Sequence, residues 1–589
     1  MKKRILSCLM ALALCLTLLP TAALAADGDH TAGNHNGFKK LYMNDTTEEL
    51  MIDDGTGAKE WETITDGLQY TYLPLKAGNY YLESDLTLKD NYIGIVEPGV
   101  TLCLNGKTIS CGDNTNLDCV IMVNYYWKNN RIQSVGQLTL MDCVGSENTI
   151  GTISGGKNDA VKVYGGSTLN MYGGTITCSN GYGVNINEST NGITTFNMYG
   201  GKISGGSSVG VYLDGSNIAF NMSGGTISNN KDSGVYMRGG TFTMKDGATI
   251  TGNEITTGGN GGGVYVYGGT FNMEGGTISG NKATGGSNSS GGGVFVNSGS
   301  KFNMSGTAQI TGNTASTDGG GVFVDSGTTF TVFGTPTITD NNNIRNGSNV
   351  TNNVHLYKNT ITIGTGGLTL TEDAKIGVTV DSEYAPTDGN PVAITSGATA
   401  DLHSYFKADD ESKYQIGYNN RTYQVQLEAV PKIDLSGATV TLKQDSFVYT
   451  GQALTPDVKV TYNSSTVLTK DKDYEVSYKN NTNAGTATVI VTGTGNYTGR
   501  VEKTWYINKR IIRVKEVTLN EKVYNGSKEG GSENVTSVTF ENLPTGAAQP
   551  DYTIKSVTYT DANASENAQN VKVEVTLQNP NYTFAVNQR

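Results

Sequence analysis

Five aromatic residues, Tyr212, Tyr236, Tyr265, Phe295 and Phe323, sit at the middle of apolar triplets such as Val264-Tyr265-Val266. They are the residues of this chain best placed to do chemistry, and that chemistry is recognition. Aromatic faces suit sugar rings, and a row of them suits an extended glycan. The same row would also arise if cross-strand aromatic pairs only stabilised a sheet. The two readings weigh equally on sequence alone.

Titratable groups near this row are sparse. If the triplets stack, their outward middle positions read Asn185, Tyr212, Tyr236, Tyr265, Phe295, Phe323, His355. The next outward column reads Asn187, Asp214, Arg238, Tyr267, Asn297, Asp325, Tyr357. A glycoside hydrolase needs two carboxyl groups about 5–9.5 Å apart. Asp214 and Asp325 would lie four coils apart, roughly 19 Å at the strand spacing, and cannot pair. Asp232 and Asp318 precede their strands, each without an obvious partner. Asp214 and Arg238 read as a surface ion pair worth little. His355 stands alone, and His403 has no nucleophile or metal constellation. No catalytic residue, metal site or cofactor is expected, and the chain leans away from being an enzyme.

The elements that must position the stripe repeat. The best-preserved unit is GGGVYVYGGTFNMEGGTISGN, Gly261 to Asn281. Its Phe-x-Met element recurs at Leu102/Leu104, Leu138/Leu140, Leu169/Met171, Phe196/Met198, Phe220/Met222, Phe242/Met244, Phe271/Met273, Phe302/Met304, Phe330/Val332 and Ile361/Ile363. From Leu169 onward the steps are 27, 24, 22, 29, 31, 28 and 31 residues, a solenoid period. Each unit holds a Val-x-Val, a Phe-x-Met and a Thr-Ile-Ser strand. Alternation turns Val264, Val266, Phe271, Met273 and Ile278 inward. Gly pairs and Gly-Asn suit the bends between strands. Three strands and three bends make one coil of a parallel β-helix. The general preference for right-handed crossovers sets its hand. About ten coils at roughly 4.8 Å predict a rod near 48 Å long. Residues 281–292 and 341–353 read as insertions at bends. The Asn column 230, 253, 281, 313, 341 reads as a structural ladder, and outward Asn170, Asn197, Asn221, Asn272 and Asn303 as another. The inward Met residues are core.

The termini and composition bound the setting. Lys2, Lys3 and Arg4, the apolar run Ile5 to Leu19 and Ala23-Leu24-Ala25 form a signal peptide over residues 1–25. Its removal takes the net charge from −12 to −15, with no basic cluster left, which argues against nucleic-acid binding. No membrane span is expected after cleavage. Residues 26–75 are expected to be an irregular segment. The five mature cysteines, Cys103, Cys111, Cys119, Cys143 and Cys178, match no disulfide framework or zinc spacing. They read mostly as packing residues, with room for a bridge or two after export. The β-helix with its caps is assigned to 76–430, and two small β-sandwich domains to 431–510 and 511–589.

Gly78-Asn79-Tyr80-Tyr81-Leu82 and the first coil, from Leu102 to Ser110, resemble right-handed β-helix repeat surface proteins exported by Gram-positive gut bacteria. The resemblance covers roughly Tyr80 to Ala429. It is specific for fold and poor for activity. Residues 445–508 resemble a bacterial immunoglobulin-like surface repeat, through Tyr449-Thr450-Gly451-Gln452, Asp473-Tyr474, Asn483 to Ala487 and Gly495 to Gly499. Residues 511–589 resemble a related Tyr-Asp-Gly module, with Tyr524-Asn525-Gly526 in its place. Such modules imply stalks in large surface proteins. With no anchor after Asn581 to Phe584, the expectation is a released protein or an incomplete last module. Resemblance to lyases and hydrolases on this fold implies the Val-x-Val sheet as the place for a site.

The sequence thus predicts an all-β protein, secreted or wall-associated, whose β-helix binds polysaccharides or surface glycoproteins of host or neighbouring cells. A polysaccharide lyase or glycoside hydrolase and a purely structural stalk are the alternatives.

Overall fold

In the computed structural model, residues 35–586 are described apart from positions 48, 54–55, 66–70, 112–115, 129–130, 144–148, 189, 191, 346, 365–367 and 564–567. The signal-peptide reading lies outside these residues. The described residues are strands, turns and a few 3-10 turns, with no α-helix among them. They divide into two compact units, 1–429 and 430–589.

The first unit is built from three parallel ladders. Phe-x-Met strands run from Gly78–Leu82 to Thr395–Ser396, twelve described strands in one order. The Thr-Ile-Ser and Val-x-Val strands form two further parallel ladders within a second large sheet. Registers are in step: Phe242 lies opposite Phe271, Ile250 opposite Ile278, and Tyr236 opposite Tyr265. This arrangement is consistent with a parallel β-helix. One register differs from the sequence reading. Leu138 and Leu140 face Val100 and Leu102, not Leu102 and Leu104, so the first coil sits two residues earlier.

Alternation works as expected. Val264, Val266, Phe271, Met273 and Ile278 are fully buried. Within the core Phe196, Phe220, Phe242, Phe271, Phe302 and Phe330 form a column, with centroids 4.6–4.9 Å apart and planes within 7° of parallel. Each such contact adds about 0.5–1.5 kcal/mol beyond its buried area. The bends fit only small residues. A Cβ on Gly263 would lie 2.6 Å from the Gly293 carbonyl oxygen and 2.8 Å from Ile278 Cγ2, so a side chain there would push two coils apart.

The Asn column is continuous and longer than the sequence suggests. Asn230, Asn253, Asn281, Asn313, Asn341 and Asn353 are all buried. Each Nδ2 donates to the next Oδ1 over 2.9–3.1 Å. Each backbone N–H donates to that same Oδ1. The ladder ends on Asp409, whose carboxylate accepts from Asn353 N–H, Asn353 Nδ2 and Thr379 Oγ1. An all-acceptor group suits an end at which every donor points outward. Burial pushes the Asp409 carboxyl up from its ordinary value against these hydrogen bonds. The outward ladder forms in pieces, with Asn197 donating to Asn170, Asn221 to Asn197 and Asn303 to Asn272.

Both open ends are covered. Segment 26–75 is expected to be irregular, but its described residues carry strands between Lys39 and Pro74. Lys39–Met43 adds in parallel to Gly78–Leu82, and a hairpin of Leu50–Asp53 with Ala58–Glu60 continues that sheet. Trp61 is buried there and donates to the Pro74 carbonyl. At the other end Val392–Ala393, Gln424–Ala429 and Tyr414–Asn419 form an antiparallel sheet. Such caps blunt the strand edges of a repeat array. The cysteines do more than pack: Cys103 and Cys143 form a disulfide, with His35 beside it, while Cys111, Cys119 and Cys178 are free.

The second unit has two apolar cores. The first gathers Tyr474, Val489, Val491, Trp505 and Ile507. It lies on a four-stranded sheet of Ser446–Val448, Arg500–Asn508, Gly485–Gly493 and Tyr474–Lys479. The second gathers Ile512, Val538, Phe540 and Tyr582. Tyr449 meets Tyr582 edge-on at 5.3 Å, and Asn581 accepts from Ala484 N–H, tying the two halves of this unit.

Candidate functional site

The five stripe residues lie side by side on the Val-x-Val ladder, in register, followed by His355. Their rings fall into two regimes. Tyr212 and Tyr236 are tilted by 43° at 5.5 Å. Tyr265 stands at 70° to Tyr236 and at 87° to Phe295. From there the rings stack like coins: Phe295 on Phe323 at 3° and 4.9 Å, and Phe323 on His355 at 7° and 5.3 Å. A stacked ring spends its faces on its neighbours and offers its edge to solvent. Phe295 is buried, only 7% exposed. Uniform face-on stacking of sugars along the whole stripe is therefore not what this geometry offers.

A wall rises beside the stripe where the rings change. The bends before the Val-x-Val strands carry short strands of their own: Glu254–Ile255, Lys282–Ala283, Thr314–Ala315 and Asn342–Arg345 pair in parallel, and Ser348–Thr351 returns antiparallel. The segments expected to be insertions belong to this fourth ladder. Side chains on the bends that follow these short strands are held in place. Asn260 Oδ1 accepts from Ser290 N–H at 2.8 Å, and the Ser290 and Thr317 hydroxyls are 2.7 Å apart.

Wall and stripe enclose an open groove of about 440 Å³. Phe295 and Phe323 form its floor. Asn260, Asn288, Ser290, Thr317 and Asp318 line it from the bends before the strands. Asp325, Tyr357 and Asp381 line it from the turns after them. Amide, hydroxyl and carboxylate groups over an apolar floor can hydrogen-bond a polyhydroxylated ligand.

Two sequence readings need correction here. His355 is not alone, and Asp318 does not lack a partner. His355 is buried, with Nδ1 3.5 Å from Asp318 and Nε2 3.6 Å from Asp381. Asp381 was missed because it follows the strand Lys375–Val380, in the region where the coil pattern has faded. The imidazole thus lies between the two carboxylates, one at each ring nitrogen. Asp214 and Arg238 do form the expected surface pair, at 3.5 Å with both side chains well exposed.

A second polar cluster lies at the other end of the stripe. Asp159 is 1% exposed and accepts from Asn185 Nδ2 through both oxygens, at 3.0 and 3.1 Å. Burial pushes its carboxyl up to about 6. Lys162, 3.2 Å from Asp118, lies beside it. Tyr182 stacks on Tyr212 at 4.5 Å, so the row begins one ring before the stripe. Comparison with family models, characterised proteins and solved structures gives no match to this chain, so function is read from the site's geometry.

Proposed function

We propose that this is an exported binding protein, secreted or held at a bacterial surface, whose right-handed β-helix docks glycans on its Val-x-Val face. The two C-terminal modules act as immunoglobulin-like spacers. The observation that carries the reading is the groove over Phe295 and Phe323, with fixed amides, hydroxyls and carboxylates above an apolar floor. Tyr265, set crosswise to its neighbours, is the stripe ring whose orientation best suits contact with a sugar. Binding of the full mature chain to a glycan array tests the reading, with Tyr357→Ala and Asn260→Ala, both on groove-lining residues, as variants. Loss of binding by both, with unfolding unchanged, supports it. Unchanged binding by both removes the groove as the site.

A hydrolytic reading has one observation in its favour, the Asp318 and Asp381 carboxyls on either side of His355. A lyase reading has no such observation, since no Arg or Lys is among the described residues that line the groove. Release of reducing ends from whichever glycan binds separates an enzyme from a binding protein.

A further inference from the structure

We infer that the groove selects sugars bearing free ammonium groups, as in a de-N-acetylated hexosamine oligomer. The inference rests on the glycan reading above and names its ligand class. Three carboxylates, Asp318, Asp325 and Asp381, border the groove, and no Lys or Arg is among its described lining residues. His355, when protonated, offsets one of the three charges and is already held between Asp318 and Asp381. Asp325 accepts from Ser326 N–H and has no ion-pair partner among the described residues. Lys358 lies over the rings of Tyr357 and Tyr384 and is not itself among the lining residues.

This balance decides between ligand classes. A uronate or sulfated glycan would bring like charge to three carboxylates in a chain whose net charge is already −12. A neutral glycan would strip water from those carboxylates and return only neutral hydrogen bonds. An ammonium returns charge-assisted hydrogen bonds, about twice as strong as neutral ones. The floor does not add a cation–π contact. Phe295 and Phe323 turn their faces to each other, so their edges meet the ligand. Charge selection must come from the carboxylates, and the fit for a sugar from the apolar floor and the amide and hydroxyl wall.

The test is calorimetric titration of the full mature chain at pH 6 and low salt. The probes are a glucosamine tetramer, its N-acetylated form, a galacturonate tetramer, spermine and tetralysine. The glucosamine tetramer is expected to bind at least tenfold more tightly than the N-acetylated one, and the galacturonate tetramer not at all. Asp325→Asn, which keeps an acceptor for Ser326, is expected to erase most of that preference. Asp214→Asn, on the same face outside the groove, is expected to leave it intact. Equal binding of the two hexosamine forms overturns the inference and leaves the glycan reading standing. Spermine or tetralysine binding as tightly as the glucosamine tetramer overturns it too, since the groove would then read charge without sugar. No binding of any glycan removes the parent reading as well.

Discussion

Asn281→Ala tests the internal ladder at its middle. Asn281 is fully buried, and its Oδ1 accepts from Asn253 N–H at 3.1 Å and Asn253 Nδ2 at 2.9 Å. Its own Nδ2 donates to the carbonyls of Ile250 and Ser279 and to Asn313 Oδ1. Alanine leaves the Asn253 N–H without that acceptor, at about 1–3 kcal/mol for an orphaned buried group. Broken Nδ2 bonds and the space left by the carboxamide bring the expected loss to about 3–5 kcal/mol. Equilibrium denaturation gives the total. Hydrogen exchange gives its place, which in a solenoid should be the coils of Asn253 and Asn313 rather than the whole rod. Asn221→Ala is the internal control, since Asn221 makes a similar bond at 2.9 Å but on the solvent face. It should cost no more than about 1 kcal/mol. A loss below about 1 kcal/mol for Asn281→Ala, or one equal to the control, would refute the claim that the buried ladder holds the bends together. Asn281→Asp should be as damaging as alanine, because an acceptor-only group belongs at the end of the ladder, where Asp409 stands.

Four further outcomes are expected. Asp159, raised to about 6, binds its proton more tightly in the folded chain than in the unfolded one. Its contribution is therefore full below about pH 4 and is lost as the pH rises through about 6, by up to about 3 kcal/mol. Asp159→Asn should raise the unfolding midpoint at pH 7.5 and flatten its dependence between pH 4 and 7. A midpoint lowered at every pH would count against this. Cys103→Ser removes a cross-link between residues 40 apart and should cost about 4 kcal/mol by the chain-entropy estimate. Reduction of the wild-type protein should match it, read by thermal unfolding. Phe295→Leu, in the stacked part of the stripe, should lower stability by about 1–2 kcal/mol. Tyr265→Ala should instead cut glycan affinity with a smaller effect on stability, and the reverse pattern would mean that the two ring regimes do not divide the work this way.

The coils were legible in the sequence because their physics is local. Alternation in Val264-Tyr265-Val266 and Phe271-Asn272-Met273 sets which side chains are buried, and Gly263 and its equivalents set the bends. The ends were less legible. The cap strands between Lys39 and Pro74 lack the coil pattern because a cap meets the repeat at one end only, so it is free of the repeat's constraints on every turn. The His355 cluster was hidden for a related reason. Its members, Asp318, His355 and Asp381, come from three different coils and from opposite sides of the strand, so aligning strand positions cannot bring them together. Ring orientation was not legible at all. Tyr265 and Phe295 occupy the same column, yet one stands crosswise and the other stacks, and strand alternation does not set the plane of a ring.

Step length, by contrast, carries more than it first suggests. From Leu169 to Phe242 the steps between Phe-x-Met strands are 27, 24 and 22 residues, and from Phe242 to Ile361 they are 29, 31, 28 and 31. The short strands of the fourth ladder begin at Glu254 and occur in these long coils. The extra residues are the wall. Where coils are short, Tyr212 and Tyr236 lie on an open sheet. Where they are long, Phe295 and Phe323 run beneath a polar rim. A solenoid built this way separates two tasks. The strands and Asn ladder fix the geometry and resist change, because each substitution meets a neighbour on both sides. The bends absorb added residues without disturbing the registers, so recognition can be altered there at little cost to the rod. The groove sits where the stripe passes under the wall, and its carboxylates are all supplied by bends and turns, none by a strand interior. On the proposed reading, specificity would be a property of the connections, carried by coils that the strands and the Asn ladder hold in line.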